Sequence, residues 1–375
     1  MKKSAFLLLA CVLTLVSLGL LMVFNTTSAE VIDRNLNIST HHALFKQLLY
    51  LCVSSVGALL VWFYGQRKIL IWAGYFFYVN VFLLILVFIP GIGEQINGAH
   101  RWIKLGTLSF QPSEFLKLTM PLYFIALLFK KKEMSRKRFY KIIILFSIPL
   151  GLVLMEPDNG TTIITVLTMI ALFFICKIRL IYWLIPILAL SIVAGVVGLQ
   201  MSHVKKRIQI YLHPELDLLG KGHQPYQAKI AAGSGELFGK GIGQSLQKLN
   251  YLPEARSDYI AAIYAEEFGF MGILFLVLLY LLMGCTGFHI ASQAEEKHEF
   301  YIATILTFLV VLQAFLNLGV VSGLLPSKGI NLPFFSQGGS SLLANTIVVT
   351  LIMTVGRKGH KVDLEHTEWK HIQEV

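Results

Sequence analysis

The sequence predicts an all-α, polytopic membrane protein with about ten transmembrane helices and both termini cytoplasmic, and three observations carry that prediction. Of 375 residues, 55% are hydrophobic and only 14% are charged, whereas a soluble domain carries about a quarter charged residues. The apolar runs recur along the whole chain at roughly 20 residues each, the length a helix needs to cross a bilayer. They are continuous rather than alternating, which excludes a β-barrel, the other structure that satisfies its backbone inside lipid. The formal charge of +11 does not point to nucleic acid. Most basic residues sit in short loops, where they set orientation and meet anionic lipid.

The start, MKKSAFLLLACVLTLVSLGLLMVF, resembles a signal peptide, but its apolar run is too long for one and no cleavage site is evident. It is read as a retained first span, about 5–24. Spans two and three follow at about 43–64 and 69–90, separated by the basic turn Gln66-Arg67-Lys68. A polar loop, GIGEQINGAHRWIKLGTLSFQPSEF, leads through Pro112 and Ser113-Glu114, a helix start, into span four at about 114–130. The basic stretch KKKEMSRKRFYK precedes span five, about 141–156. The tight turn EPDNGTT, shaped by Pro157, Asn159 and Gly160, leads into span six, about 161–176. Span seven covers about 180–200.

Residues 201–258 form a polar loop too long to be a mere connection. Span eight, about 259–283, span nine, about 300–323, the loop GLLPSKGINLPFFSQGGSS, span ten, about 341–356, and a charged tail, 357–375, complete the chain. No internal repeat divides it, so the chain reads as one membrane domain. Ten spans put both ends on one side. Arg67 with Lys68, the 130–141 stretch, Lys177 with Arg179, and Arg357, Lys358 and Lys361 all fall on that side, so the termini are cytoplasmic by the positive-inside rule. The 201–258 loop is then extracytoplasmic despite Lys205, Lys206 and Arg207, because long loops weigh little in this rule.

The four cysteines, Cys11, Cys52, Cys176 and Cys285, lie in or at the ends of apolar runs and read as small buried hydrophobes. No metal-ligand spacing is recognisable. Asp258 stands just before span eight on the outer face. It reads either as that helix's N-cap or as a general base whose pKa is raised at an apolar boundary. Glu266 and Glu267, two turns deeper, need cationic partners; they are a structural ion pair or part of a site. Lys117 inside span four can snorkel, pair with a carboxylate or hold an anion. Arg101 with Trp102 reads as an interfacial anchor or as a cation near the outer face for a diphosphate. Gly338, Gly339 and Ser340 open span ten, with backbone amides that can meet an anion or small residues that serve packing. The run Gly233, Gly235, Gly239, Gly241, Gly243 has no phosphate-cradle context and is read as a tight turn against the membrane.

Taken together, NGAHRWIKLGTLSFQPSEFLKL, EPDNGTT, GSGELFGKGIGQSLQKLNYLPEARSDYIAAIYAEEFGFMG and LPSKGINLPFFSQGGSS resemble the SEDS family (shape, elongation, division and sporulation), in family order. The QKLNYLPEA and LPSKG versions look more like the division-type than the elongation-type member. The resemblance implies a ten-span fold and a peptidoglycan glycosyltransferase that polymerises lipid II at the outer face of a bacterial cytoplasmic membrane, at the division septum. It implies a class B penicillin-binding protein and other divisome membrane proteins as partners, besides membrane lipid. The family's essential acidic residue falls on Asp258, its Arg-Trp pair on Arg101 and Trp102, and its span-four lysine on Lys117. Glu254 of the same motif, with Glu266, Glu267, Gly338, Gly339 and Ser340, joins the expected substrate-binding set. A divalent cation, Mg²⁺ or Mn²⁺, is the one cofactor expected, assisting the diphosphate. Two positions depart from the pattern: Asn250 stands where division members often carry an acid, and Gln337 stands where the family has Tyr. A lipid II flippase, with Lys117, Glu266 and Glu267 along its path, and a non-catalytic divisome scaffold are the alternatives.

Overall fold

The computed structural model describes residues 3–33, 39–96, 99–106, 108–130, 134–188, 209–218, 220, 222–249 and 252–357. The second half of expected span seven, the start of the long loop, Asn250 and nearly all of the tail lie outside the described residues. Among the described residues ten α-helices are delimited: α1 Lys3–Asp33, α2 His42–Ile71, α3 Ala73–Leu86, α4 Pro112–Lys130, α5 Arg136–Met155, α6 Asn159–Ile175, α7 His223–Ser234, α8 Ile260–Ser292, α9 Lys297–Val321 and α10 Gly339–Val355. Residues 180–188 are also helical, where span seven is expected. Among the described residues, α1, α2, α4, α5, α8 and α9 are long and apolar enough to cross a membrane, and α3, α6 and α10 are shorter apolar helices.

Two features depart from the sequence reading. The polar loop before span four is a three-stranded antiparallel sheet: β1 Gly93–Ile96, β2 Ala99–Leu105 and β3 Leu108–Phe110, in the order β1-β2-β3. Its strands are short, and without long apolar alternation they leave little periodic signal. The long loop, in turn, carries a helix of its own, α7, which packs on α8 and α9.

Helices α4 and α9 are mostly buried, whereas α2 and α5 keep largely exposed apolar faces. An aromatic cluster ties α3 to α6: Phe77 stacks on Tyr123 at 5.0 Å and meets Phe146 at 5.3 Å, and Phe173 meets Phe124 at 5.0 Å and Phe139 at 5.2 Å. Each such pair contributes about 0.5–1.5 kcal/mol beyond its buried area. With no hydrophobic driving force between helices in lipid, contacts of this kind carry the packing.

The bundle has two distinct polar ends. At the end assigned to the cytoplasm, Arg67 pairs with Glu296, and Gln66 donates to Glu299 at 2.8 Å. At the other end the sheet, the 156–160 turn, the segment before α8 and the loop before α10 come together.

Candidate active site at the outer end of the bundle

Three turns and the sheet converge around Asp258. Gly160, in the first turn of α6, lies so close to the 329–330 loop that a Cβ there would sit 2.6 Å from the Gly329 carbonyl oxygen. Gly329 in turn faces Asp258, where a Cβ would lie 3.4 Å from its Oδ2. The glycines thus let the 156–160 turn, the 329–330 loop and the Asp258 segment stack closely.

The backbone around Asp258 is gripped residue by residue. The carbonyl of Arg256 accepts from the Gln337 N–H at 3.0 Å, that of Ser257 from Ser336 Oγ at 2.6 Å, and that of Asp258 from Asn317 Nδ2 at 2.8 Å. Tyr259 Oη lies 2.7 Å from Ser327 Oγ. The Asp258 side chain caps no helix: Tyr259 holds the N-cap position of α8 and that helix has no side-chain cap. The departure at Gln337 leaves the grip intact, because the contact uses main-chain N–H.

Asp258 retains some accessible surface, yet protein surrounds its carboxyl. Burial first, then the charges of Glu254 and Asp158, push its pKa up to about 7, against the pull of Arg101. This is the ionisation range in which a carboxylate works as a general base near neutral pH.

Arg101 reaches from β2 to the 156–160 turn. Its Nε donates to the Glu156 carbonyl at 2.8 Å and its Nη2 to the Pro157 carbonyl at 2.9 Å. Its neighbour Trp102 pairs with Glu94 across the β1–β2 ladder. Lys117 is buried, donating to Glu114 at 2.9 Å and to Gln313 Oε1 at 3.0 Å. Glu254 accepts from Ser257 Oγ at 2.7 Å within the Asp258 segment.

Residues 338–340 serve the contact between α10 and the sheet. A Cβ at Gly339 would overlap the Tyr50 ring, and Tyr50 Oη is held by Ser109. Ser340 Oγ accepts from the Gln111 N–H at 2.9 Å. The amide-rich start of α10 is thus closed by protein.

Glu266 and Glu267 are engaged elsewhere. Helix α8 breaks at Gly269, which adopts φ 66°, ψ −164°, a region open essentially to glycine alone. The helical bonds from 270 to 266 and from 271 to 267 give way to the 236–241 loop. Lys240 and Gly241 N–H take the carbonyls of Glu266 and Glu267 at 3.0 Å each, and Phe270 and Met271 N–H donate to Glu236 and Leu237 at 2.8 and 3.1 Å. The two carboxylates secure the same loop. Glu266 accepts from Lys240 at 2.6 Å and from Ser245, while Glu267 accepts from Lys248 at 2.8 Å and from Asn25 of α1 at 2.6 Å. The glycines of this loop do turn it tightly against a span, and the carboxylates read as possible site residues hold it there.

Reasoning from sequence missed the acidic neighbours of Asp258. Glu114 interacts with Lys117, and Asp158 caps α6 through the Thr161 N–H at 3.1 Å while accepting from Gln111 at 3.1 Å and Ser113 at 3.0 Å. Glu156 is buried with neither carboxyl oxygen bonded. The signal was available, since the assigned topology already puts the EPD turn on the face of Asp258. As a metal cradle the surroundings do not fit. Among the described residues, the group whose ligand atoms approach closely enough is Glu296, His298 and Glu299, at the opposite end. That group is already tied to Arg67 and Gln66.

Comparison with known proteins bears on this geometry. The family of cell cycle proteins typified by FtsW, RodA and SpoVE matches residues 5–361. The probable peptidoglycan glycosyltransferase FtsW of Coxiella burnetii is 38% identical, covering 92% of this chain and 94% of its own. Stage V sporulation protein E of Bacillus subtilis is 37% identical, covering 95% and 98%. A chain from a structure on the coordination of polymerization and crosslinking by a peptidoglycan synthase complex superposes with a TM-score of 0.75 at 26% identity, over 93% of this chain and 96% of its own. The rod shape determining protein RodA of Thermus thermophilus shares the fold, with a TM-score of 0.67 at 24% identity, over 93% and 95%.

Proposed function

This chain belongs to the FtsW/RodA/SpoVE family of cell cycle proteins, and from that premise we propose that it is a peptidoglycan glycosyltransferase that polymerises lipid II at the outer face of the cytoplasmic membrane. The observation that carries the reading is Asp258, held by three consecutive main-chain hydrogen bonds with its carboxyl at about 7. The substrate's lipid tail stays in the bilayer while its sugars meet the end of the bundle that carries Asp258. Asp258 takes the proton of the acceptor sugar hydroxyl. The freed oxygen bonds to the anomeric carbon of the donor chain, and the anomeric carbon–oxygen bond to the diphosphate breaks, releasing undecaprenyl diphosphate.

Arg101 is the cation assigned to that diphosphate, since it is half-buried and, among the described residues, its side chain donates to neutral carbonyls. Lys117 is buried and offsets Glu114, so its role is to limit the negative charge near Asp258 that an anionic leaving group would meet. A divalent cation that assisted the reaction would come bound to the diphosphate rather than be held by these side chains. Septal work alongside a class B penicillin-binding protein is the cellular setting that the FtsW and SpoVE relatives and the synthase-complex neighbour favour. The flippase alternative loses two of its three path residues, because Glu266 and Glu267 are almost fully buried and paired with the outer loop.

Polymerisation of purified lipid II by the full chain with its cognate penicillin-binding protein, wild type against Asp258→Asn, tests the proposal. Glycan chains from the wild type alone are expected. Chains from both variants would discard Asp258 as the base. Chains from neither, in a well-folded complex, would turn the reading toward the flippase or the scaffold.

A further inference from the structure

We infer that Asn317, a residue of the spanning helix α9 with no other evident task, is a positioning residue for Asp258. It is 1% exposed. Its single amide nitrogen donates twice, to the Asp258 carbonyl at 2.8 Å and to the Ile330 carbonyl at 2.7 Å. Those two carbonyls belong to two segments that meet at the base: the one that carries Asp258, and the loop whose Gly329 lies against the Asp258 carboxyl. One side chain therefore sets the distance between the base and the surface facing it.

The cost of keeping an asparagine here argues for that task. Its Oδ1 is buried with no hydrogen-bond partner, an arrangement that is unfavourable in itself. Turning the amide over would point its oxygen at two carbonyls, so its orientation is determined. An apolar residue of the same shape would avoid the unsatisfied oxygen but would release both segments. Ser336 supports the same segment from the other side: Oγ donates to the Ser257 carbonyl and accepts from the Leu332 N–H at 2.8 Å.

This inference rests on Asp258 as the base, and the experiment separates the two. The charged and titratable groups around Asp258 are Glu254 and Tyr259 on its own segment, Asp158 at α6, Glu114 with Lys117 on α4, Arg101 on β2, and Lys328 next to Gly329. None of them is altered by substituting Asn317. In the full chain with its partner transpeptidase and lipid II, kcat, KM and the pH–rate profile are measured for wild type, Asn317→Leu, Asn317→His, Ser336→Ala and Asp258→Asn.

Asn317→Leu is expected to lower kcat about 10- to 100-fold, the scale of a base misplaced by an ångström, with KM within about threefold of wild type. Its acid limb should move to lower pH, because a released segment opens the carboxyl to water. Asn317→His, whose Nδ1–H can reach one of the two carbonyls, should recover part of kcat. Ser336→Ala should shift the limb the same way by less. Where the leucine variant does not assemble, Asn317→Ala carries the same test. Wild-type kcat in Asn317→Leu with Asp258→Asn inactive would overturn the positioning role alone, as would a lowered rate with an unmoved limb and no recovery by histidine. Activity in Asp258→Asn would instead overturn the base itself.

Discussion

Arg101 donates to the main-chain oxygen of Glu156 at 2.8 Å and leaves the carboxyl of that residue, 1% exposed, without a hydrogen-bond partner. The guanidinium shapes the turn through neutral main-chain acceptors. Glu156 lies just past the end of α5, and burial, reinforced by the charge of Asp158, pushes its pKa up to about 8 from 4.5. The folded protein holds it neutral at pH 7, while the unfolded chain ionises it.

The sign of the consequence follows from linkage. The contribution of the neutral carboxyl is complete below about pH 4.5 and is lost as pH rises through about 8. Glu156→Gln keeps the shape and removes the titration. It should unfold like wild type at pH 5 and be more stable at pH 8.5 by an amount on the order of 4 kcal/mol. Thermal unfolding at the two pH values checks this; an equal offset at both would show that the carboxyl is ionised in the folded state.

Polymerisation should lose rate as pH falls through about 7, where Asp258 takes up a proton. Glu254 is one of the charges that raise that pKa. Glu254→Gln should therefore move the acid limb down by a few tenths of a pH unit, as loss of one partly exposed like charge does. A limb that stays in place, or one that moves up, would separate the limb from Asp258.

The two ion pairs on the outer loop should differ in worth. Lys248 and Glu267 are both buried, with side chains 5% and 0% exposed. Removing one partner strands the other, so Glu267→Gln should cost roughly 3–5 kcal/mol. Lys240 is 33% exposed beside Glu266, whose buried carboxylate also accepts from Ser245 Oγ and from the Leu246 and Gln247 N–H groups, so Lys240→Ala should cost clearly less than Glu267→Gln. Unfolding midpoints and protease cleavage within 235–249 would rank them; equal effects would mean that the loop is held mainly by its backbone bonds to α8.

Gly269→Ala tests those backbone bonds. The substitution puts a side chain at φ 66° and against the main chain of Leu237 and Gly239, and a loss of about 3 kcal/mol or more is expected from strain and overlap together. Release of the 236–241 loop, seen as faster hydrogen exchange at Lys240, Gly241, Phe270 and Met271, should accompany it. Unchanged exchange at those four amides would show that the helix break does not depend on glycine.

The spans were legible because run length and charge are local properties. Lys3 to Val355 reads as a succession of apolar runs, and Arg67, Lys177 and Arg357 mark one side of the membrane without any knowledge of packing. The same alternation places the Arg101 strand, the EPD turn, Asp258 and the 324–338 loop on one face. The sheet around Arg101 was not legible, since its strands are too short for a period to declare itself.

What the sequence by itself determined is therefore the membrane fold; it assigned a sidedness and singled out Asp258 as an expected base. Only the tertiary structure decided which polar groups meet. It gave Glu267 to Lys248 and Asn25, Lys117 to Glu114 and Gln313, Arg101 to the Glu156 carbonyl, and Asn317 to Asp258. Crossing a bilayer depends on the hydropathy of one continuous segment. A buried polar group must find a partner within hydrogen-bond distance, and here that partner usually lies on another helix, brought there by packing.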